Sequence, residues 1–439
     1  MKLINKLTIS QIEKKAIYFI AIFISSCFLT FLSTLIYYKL SIINIFISFS
    51  SSFIFLISIY NFLIDRDLKS HTLFFFIFFL GLYINTFMLS IYQLEKTIED
   101  IYYLIFGPFL FGLLLYFFET KKIKTYFKCT PLINIDLVYL LFLLSYISIK
   151  VYIGMTLGWR ISYLLASTYL IDGGNFTMPG YSGLAAILQW LLLIFSSYTK
   201  KRYVVLAVIA ILVFSILHVK RGDIMRMLFF LILQTIANFK EIKKYNLKRA
   251  KKIKKWIISI IIISVIVFIY AGNLREEAKG AGTVDSLSQN IGIKDASPFL
   301  IWFYGYLPIN YDVVRYYYNI SHSYEPTALS YLFMPEQEED YTYSINGFNA
   351  STFLRTFIID YGEFYFIELL ILSLIIGVII ILCRKEKNKG TYTFVLLIIS
   401  FFFFGNYFES RSIFFPILLS LIIFPFLKIK NNKSSNVTN

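Results

Sequence analysis

The residues of this chain best suited to chemistry are arginines at the edges of apolar runs. His218, Lys220, Arg221, Asp223 and Arg226 crowd one short stretch between two such runs. Arg275 directly follows another, Glu409 and Arg411 share a very short turn near the end, and Arg160, Arg315 and Arg355 stand in comparable places. A guanidinium stays charged when partly dehydrated and presents a planar fork that grips phosphate oxygens in pairs. A set of them suits a phosphate-bearing headgroup at a membrane surface. Each alone also has a plainer role: it reaches out to the headgroups or pairs with a neighbouring acid, as Arg411 can with Glu409.

Carboxylates come late in the chain. Asp360 and Glu363 precede an apolar run that holds Glu368 deeper in. Residues three apart share a helix face, but Gly362 is a natural break between the first two. One of them can serve as a general base toward a sugar hydroxyl, or pair with Arg355. Trp302, Tyr304 and Tyr306 can stack on sugar faces or anchor the chain at a membrane interface. The acidic run Glu336–Asp340 reads as a solvated loop rather than a metal site. There is no phosphate-cradling glycine loop and no nucleophile–histidine constellation; His71 falls on the cytoplasmic side and His322 in exposed loop. Cys27, Cys129 and Cys383 suggest neither a disulfide nor a metal site, so no cofactor is expected.

The elements that position these residues are transmembrane helices. Of 439 residues, 58% are hydrophobic and 15% charged, too few charges to cover a soluble protein of this size. Apolar runs long enough to cross ~30 Å of hydrocarbon recur throughout. Hydropathy predicts an all-α polytopic membrane protein of about twelve spans: 16–38, 41–64, 72–93, 101–118, 132–153, 181–198, 203–218, 224–238, 256–272, 362–383, 392–408 and 412–427. The first follows Lys14 and Lys15, is long and lacks a small-residue cleavage site, so it reads as a retained helix.

Charge sets the orientation. Alternate connections, among them the N-terminus, the 240–255 loop and the C-terminal tail, hold 29 of the 42 Lys and Arg and 7 acids. The opposite connections hold 13 bases and 19 acids, so the two sides carry +22 and −6 of the chain's +16. By the positive-inside rule both termini are cytoplasmic, and the basicity needs no nucleic-acid partner. On the outer side two connections are large: 154–180, and 273–361 between the ninth and tenth spans. Aromatic-rich stretches such as Pro298–Tyr318 predict short interfacial helices there. A loop of that length is usually functional. No internal repeat relates the two halves, which argues against a duplicated-bundle transporter.

Two stretches carry a family resemblance. From residue 345 the chain reads Ile-Asn-Gly-Phe-Asn-Ala-Ser-Thr-Phe-Leu-Arg-Thr-Phe-Ile-Ile-Asp-Tyr-Gly and runs into a span, and mid-chain it reads Val219-Lys220-Arg221-Gly222-Asp223. Both resemble segments of the Wzy-type O-antigen and capsular repeat-unit polymerases: a late outer segment with an Asp-aromatic-Gly entry into the next helix, and an Arg-Gly step between two mid-chain spans. The helix count, cytoplasmic termini and large late outer loop agree. The resemblance implies an enzyme of the bacterial cytoplasmic membrane that joins oligosaccharide repeat units carried on undecaprenyl pyrophosphate. Its partners would be that lipid-linked oligosaccharide, membrane lipids, a flippase and a chain-length regulator. Arg221, Arg275 and Arg411 would steady the departing pyrophosphate. Arg160, Lys220, Arg355 and Glu363 would bind around them, Asp360 would act as base, and the three aromatics would meet the sugars. The alternatives are an O-antigen ligase, which shares the donor chemistry, and a flippase of the same lipid, which should show related halves and no long ordered outer loop. A glycosyltransferase using polyprenyl monophosphate sugars usually carries acids in its first outer loop, which here is essentially Lys39.

Overall fold

The computed structural model describes residues 9–37, 41–65, 68–90, 93–121, 133–159, 178–218, 221–245, 292–293, 298–318, 352–386, 388–403, 405 and 410–428, with single positions between 255 and 266. The protein is built almost wholly of helices: α1 (Ile9–Tyr37), α2 (Ile42–Asp65), α3 (Ser70–Asn85), α4 (Ile98–Thr120), α5 (Ile135–Leu157), α6 (Tyr181–Phe195), α7 (Lys201–Leu217) and α8 (Arg221–Tyr245). Three short helices follow, α9 (Pro298–Tyr306), α10 (Asn310–Arg315) and α11 (Leu354–Tyr361), and then α12 (Phe366–Glu386), α13 (Lys389–Ser400) and α14 (Arg411–Ile423). Every segment expected from hydropathy, the ninth apart, overlaps a helix, but Ser70–Asn85, Tyr181–Phe195, Lys389–Ser400 and Arg411–Phe426 are shorter than a span needs. Of the ninth, the positions Ile258, Ser259, Ile262 and Ile266 are described, and all are helical. Five helices are long and apolar enough to cross a membrane: Ala16–Tyr37, Ile42–Ile64, Ile98–Thr120, Ile135–Leu157 and Phe366–Lys385. The protein is an all-α membrane protein.

Polar contacts gather at two opposite ends of the bundle. At one end Glu119, closing α4, accepts from the Ser70 amide at 2.8 Å, lies 2.6 Å from His71 Nδ1 and is met by the Tyr392 hydroxyl, while Arg384 donates to its backbone oxygen. Thr199 and Lys200 bond to Asp136 at 2.8 and 3.1 Å, and the Gly390 amide donates to Tyr198 at 3.0 Å. There too the two-residue strands Ile133–Asn134 (β1) and Leu427–Lys428 (β2) pair in parallel, Ile133 against Leu427. These are the helix ends that charge assigns to one side. Gly390 is required at its place, because a Cβ there would meet the Ile194 carbonyl oxygen at 2.0 Å. At the other end Ser33 meets Thr86 at 3.0 Å and Asn44 donates to the Thr86 carbonyl at 3.2 Å.

Between the ends the packing is aromatic. Phe74 and Phe78 of α3, Phe111 of α4, Phe353 and Phe402 form one cluster, with Phe353 and Phe402 stacked at 4.6 Å and Phe74 edge-on to Phe111 at 4.9 Å. Such pairs contribute about 0.5–1.5 kcal/mol each beyond area burial. In a membrane, where lipid competes equally for apolar surface, packing of this kind is what holds helices together. The Phe353 amide also donates to the Phe402 carbonyl at 2.8 Å, which fixes the start of α11 against the end of α13.

Candidate functional site

Residues 298–318 form a roof on the second end of the bundle. Among the described side chains of 298–318, Ile301, Tyr304, Ile309, Tyr311, Val313, Val314 and Tyr317 are at most 1% exposed within the protein, while Phe303 and Tyr316 are exposed. The Tyr311 hydroxyl donates to the Phe78 carbonyl at 2.5 Å, fastening the roof to α3. A buried charge network fastens it to the turn before α4. Lys96 Nζ lies 3.0 Å from Asp312 and 2.5 Å from Asn85 Oδ1, and the other Asp312 oxygen accepts from Asn85 at 2.5 Å and Gln93 at 2.6 Å. Arg315 Nε is 2.8 Å from Asp100, and its two terminal nitrogens donate to the Leu94 and Glu95 carbonyls at 2.6 Å. Asp100 also takes the Thr97 amide at 2.7 Å and the Tyr318 hydroxyl at 3.2 Å. A buried pair survives only when further hydrogen bonds meet its remaining lone pairs and protons, and here both oxygens of Asp312 and of Asp100 are engaged.

Two phenols in the network are locked as donors. Burial pushes the Tyr304 and Tyr318 hydroxyls up, and the neighbouring Asp312 and Asp100 charges push the same way. Tyr304 donates to Gln93 at 2.5 Å and accepts from the Leu89 amide at 3.1 Å. Its ring, 0% exposed, has no face open to a sugar, so Tyr304 is a roof residue in this structure. Trp302 and Tyr306 belong to α9, but their side chains lie outside the described residues. Arg315, one of the outward arginines, serves the network.

The roof carries Arg355 and the two carboxylates. The Arg355 guanidinium sits 5.5 Å from the centre of the buried Tyr317 ring, within cation–π range. Asp360 is on the same helix and is 0% exposed. After Tyr361 the chain breaks at Gly362, whose φ of 52° and ψ of −118° favour glycine, and a 3-10 turn leads into α12. The break turns Glu363 outward, so Asp360 and Glu363 face different surroundings, one buried and one exposed. The Tyr102 hydroxyl donates to the Glu363 carbonyl at 2.6 Å and holds this turn to α4.

The remaining expected residues are placed unevenly. Arg411 is exposed and opens α14, at the end of that helix away from the β1–β2 pair. Arg221 opens α8, with its side chain outside the described residues, as are Arg160, Lys220 and Arg275 altogether. Arg226 lies 4.0 Å from Asp223. The structure therefore places Arg355 and Asp360 on α11 and Glu363 in the 3-10 turn that follows it, and the meeting of Arg221, Arg275 and Arg411 lies outside the described residues.

Lys96, Asp312, Asn85 and Gln93 were missed by sequence reasoning. Lys96 gave a usable signal, as a lone base among the acids of the stretch Glu95–Asp100, but its partner stands 216 residues away. Among the described residues no cluster of His, Cys, Asp and Glu could hold a metal ion. Set beside known proteins, the chain matches no family model, no curated protein and no solved structure.

Proposed function

We propose that this protein polymerises oligosaccharide repeat units carried on undecaprenyl pyrophosphate, at the outer face of a bacterial cytoplasmic membrane, with about twelve spans and both termini inside. The observation that carries the proposal is the roof: the late outer segment is folded down onto the bundle and presents a guanidinium and an exposed carboxylate at its edge. A flippase needs that end of the bundle to open for its cargo, whereas a fixed roof suits chemistry done at the surface.

In this reading a hydroxyl of the acceptor unit attacks the anomeric carbon of the donor glycan. The new glycosidic C–O bond forms as the bond from that carbon to the lipid pyrophosphate breaks, and the hydroxyl proton passes to a carboxylate. Pyrophosphate is already a good leaving group, so the protein's main task is to hold cations where its charge grows. Arg411 suits this, because it adds a guanidinium to the positive end of a helix. Arg355, braced by Tyr317, binds beside it, with Arg221, Arg275, Arg160 and Lys220 completing the set. Glu363 is the exposed carboxylate that a hydroxyl can reach; buried Asp360 supports the turn that presents it.

A deletion strain tests the step. It should keep single repeat units on its surface lipid and lose long polymer. Loss of all exported units would point to a flippase, and finished polymer left on undecaprenyl pyrophosphate would point to a ligase.

A further inference from the structure

Helix α4 does not wind evenly. Residues Ile101–Phe106 form a π-helix, in which the Gly107 amide donates to the Tyr102 carbonyl five residues back. Pro108 follows, and without an N–H it cannot serve the Leu104 carbonyl four residues before it. Single π turns inside α-helices are rare and frequently mark functional sites. This one lies beside the 3-10 turn Gly362–Phe364, which holds the exposed carboxylate Glu363.

The two segments exchange hydroxyls. Tyr102 donates its own to the Glu363 carbonyl at 2.6 Å, and the Tyr102 carbonyl accepts from the Tyr365 hydroxyl at 2.9 Å. A Cβ on Gly107 would stand 2.0 Å from the Tyr365 hydroxyl oxygen, so only glycine leaves the notch that this phenol fills. Tyr365 is 0% exposed, and its ring packs edge-on to Tyr102 at 5.5 Å and against Tyr103 at 5.1 Å. Tyr103 in turn stacks at 4.3 Å on the roof residue Tyr318, whose hydroxyl donates to Asp100. A run of rings thus joins the buried Arg315–Asp100 pair to the Glu363 turn.

Packing alone would be served as well by phenylalanine at 102 and 365. The hydroxyls add direction, because they fix the backbone of a three-residue turn that follows a glycine break. A carboxylate on such a turn has no long helix of its own to hold it, and a catalytic group must be kept within about 0.5 Å of its working place. We infer that Tyr102 and Tyr365 are positioning residues, and that the π segment of α4 sets the place of Glu363. The inference rests on the reading of Glu363 as the base that takes the acceptor's proton, and deepens it by naming what holds that base. Neither phenol meets the reacting atoms; each acts on the backbone that carries Glu363.

The test reads position and activity separately, on the full chain in liposomes. In a cysteine-free background a nitroxide is attached at Glu363→Cys, and its mobility is followed by electron paramagnetic resonance. Tyr102→Phe and Tyr365→Phe each remove one hydroxyl and keep the ring, and each should raise the mobility at 363. A nitroxide at Glu99→Cys, exposed on α4 outside the exchange, should not respond. With Glu363 in place, each variant should lower kcat about tenfold at unchanged KM, since a misplacement of about 1 Å can cost about a hundredfold. In a Glu363→Gln background the same substitutions should cost little more, because they act through that carboxylate. Unchanged mobility at 363 in both variants overturns the positioning role, as does a loss of kcat that persists in full beside Glu363→Gln. An equal response at 99 also overturns it, in favour of plain helix packing. The proposed function fails separately: loosening confined to 363, in a chain that joins no repeat units, keeps the positioning role of the two phenols and sinks the polymerase.

Discussion

The ammonium of Lys96 lies 3.0 Å from the Asp312 carboxylate, and the two side chains are 0% and 5% exposed. With Arg315 and Asp100 this pair joins the turn before α4 to the roof that covers the bundle. Removing one partner strands the other's charge in the interior, so Asp312→Leu or Lys96→Met alone should destabilise the protein by about 3–5 kcal/mol. The double variant Lys96→Met with Asp312→Leu should recover much of that loss. Thermal unfolding in detergent reads both, and additive losses in the double variant would deny the coupling.

The Arg355 guanidinium packs over the ring of Tyr317. Tyr317→Phe keeps the ring and should leave polymer length near normal. Tyr317→Leu removes the cation–π contact, worth about 0.5–2 kcal/mol, and should lower polymer output several-fold at unchanged protein abundance. Equal output from the two variants, read on a polysaccharide gel, would remove Tyr317 from this role.

Gly362 holds a backbone conformation with φ of 52° at the junction of α11 and α12. A Cβ there costs about 1–3 kcal/mol. Gly362→Ala should lower the unfolding midpoint and displace Glu363, so polymer output should fall by more than the stability loss explains. Gly183→Ala is the control, since nothing lies within 4 Å of its added Cβ.

Side assignment is tested by labelling. In a cysteine-free background, Glu363→Cys should react with an impermeant maleimide in intact cells, and Lys121→Cys only after permeabilisation. The reverse pattern would invert the topology.

Much of this architecture is legible in the sequence, because membranes make hydropathy and charge asymmetry strong signals. The long helices fall where the apolar runs are, Gly362 breaks the chain where glycine predicts, and the helix ends that charge groups together do meet, as Asp136 with Lys200 and Glu119 with His71 show. Aromatic stretches are less legible, because 298–318 has the composition of an interfacial stretch while Ile301, Tyr304, Tyr311 and Tyr317 are buried. Tyr304 looks like a sugar platform and is a packed donor. Lys96 and Asp312 find each other only once the late segment folds back over the bundle, and no local pattern announces a contact that distant.

The claim that this chain is a polymerase is tested most directly by reconstitution. Purified protein in liposomes is supplied with undecaprenyl-pyrophosphate-linked repeat units at its outer face, and the products are resolved by size. The account predicts a ladder of lipid-linked polymers, one repeat apart, with undecaprenyl pyrophosphate released at each step and both lost in Arg411→Lys. Repeat units that remain single in the presence of folded protein, or that merely cross the bilayer, would contradict it.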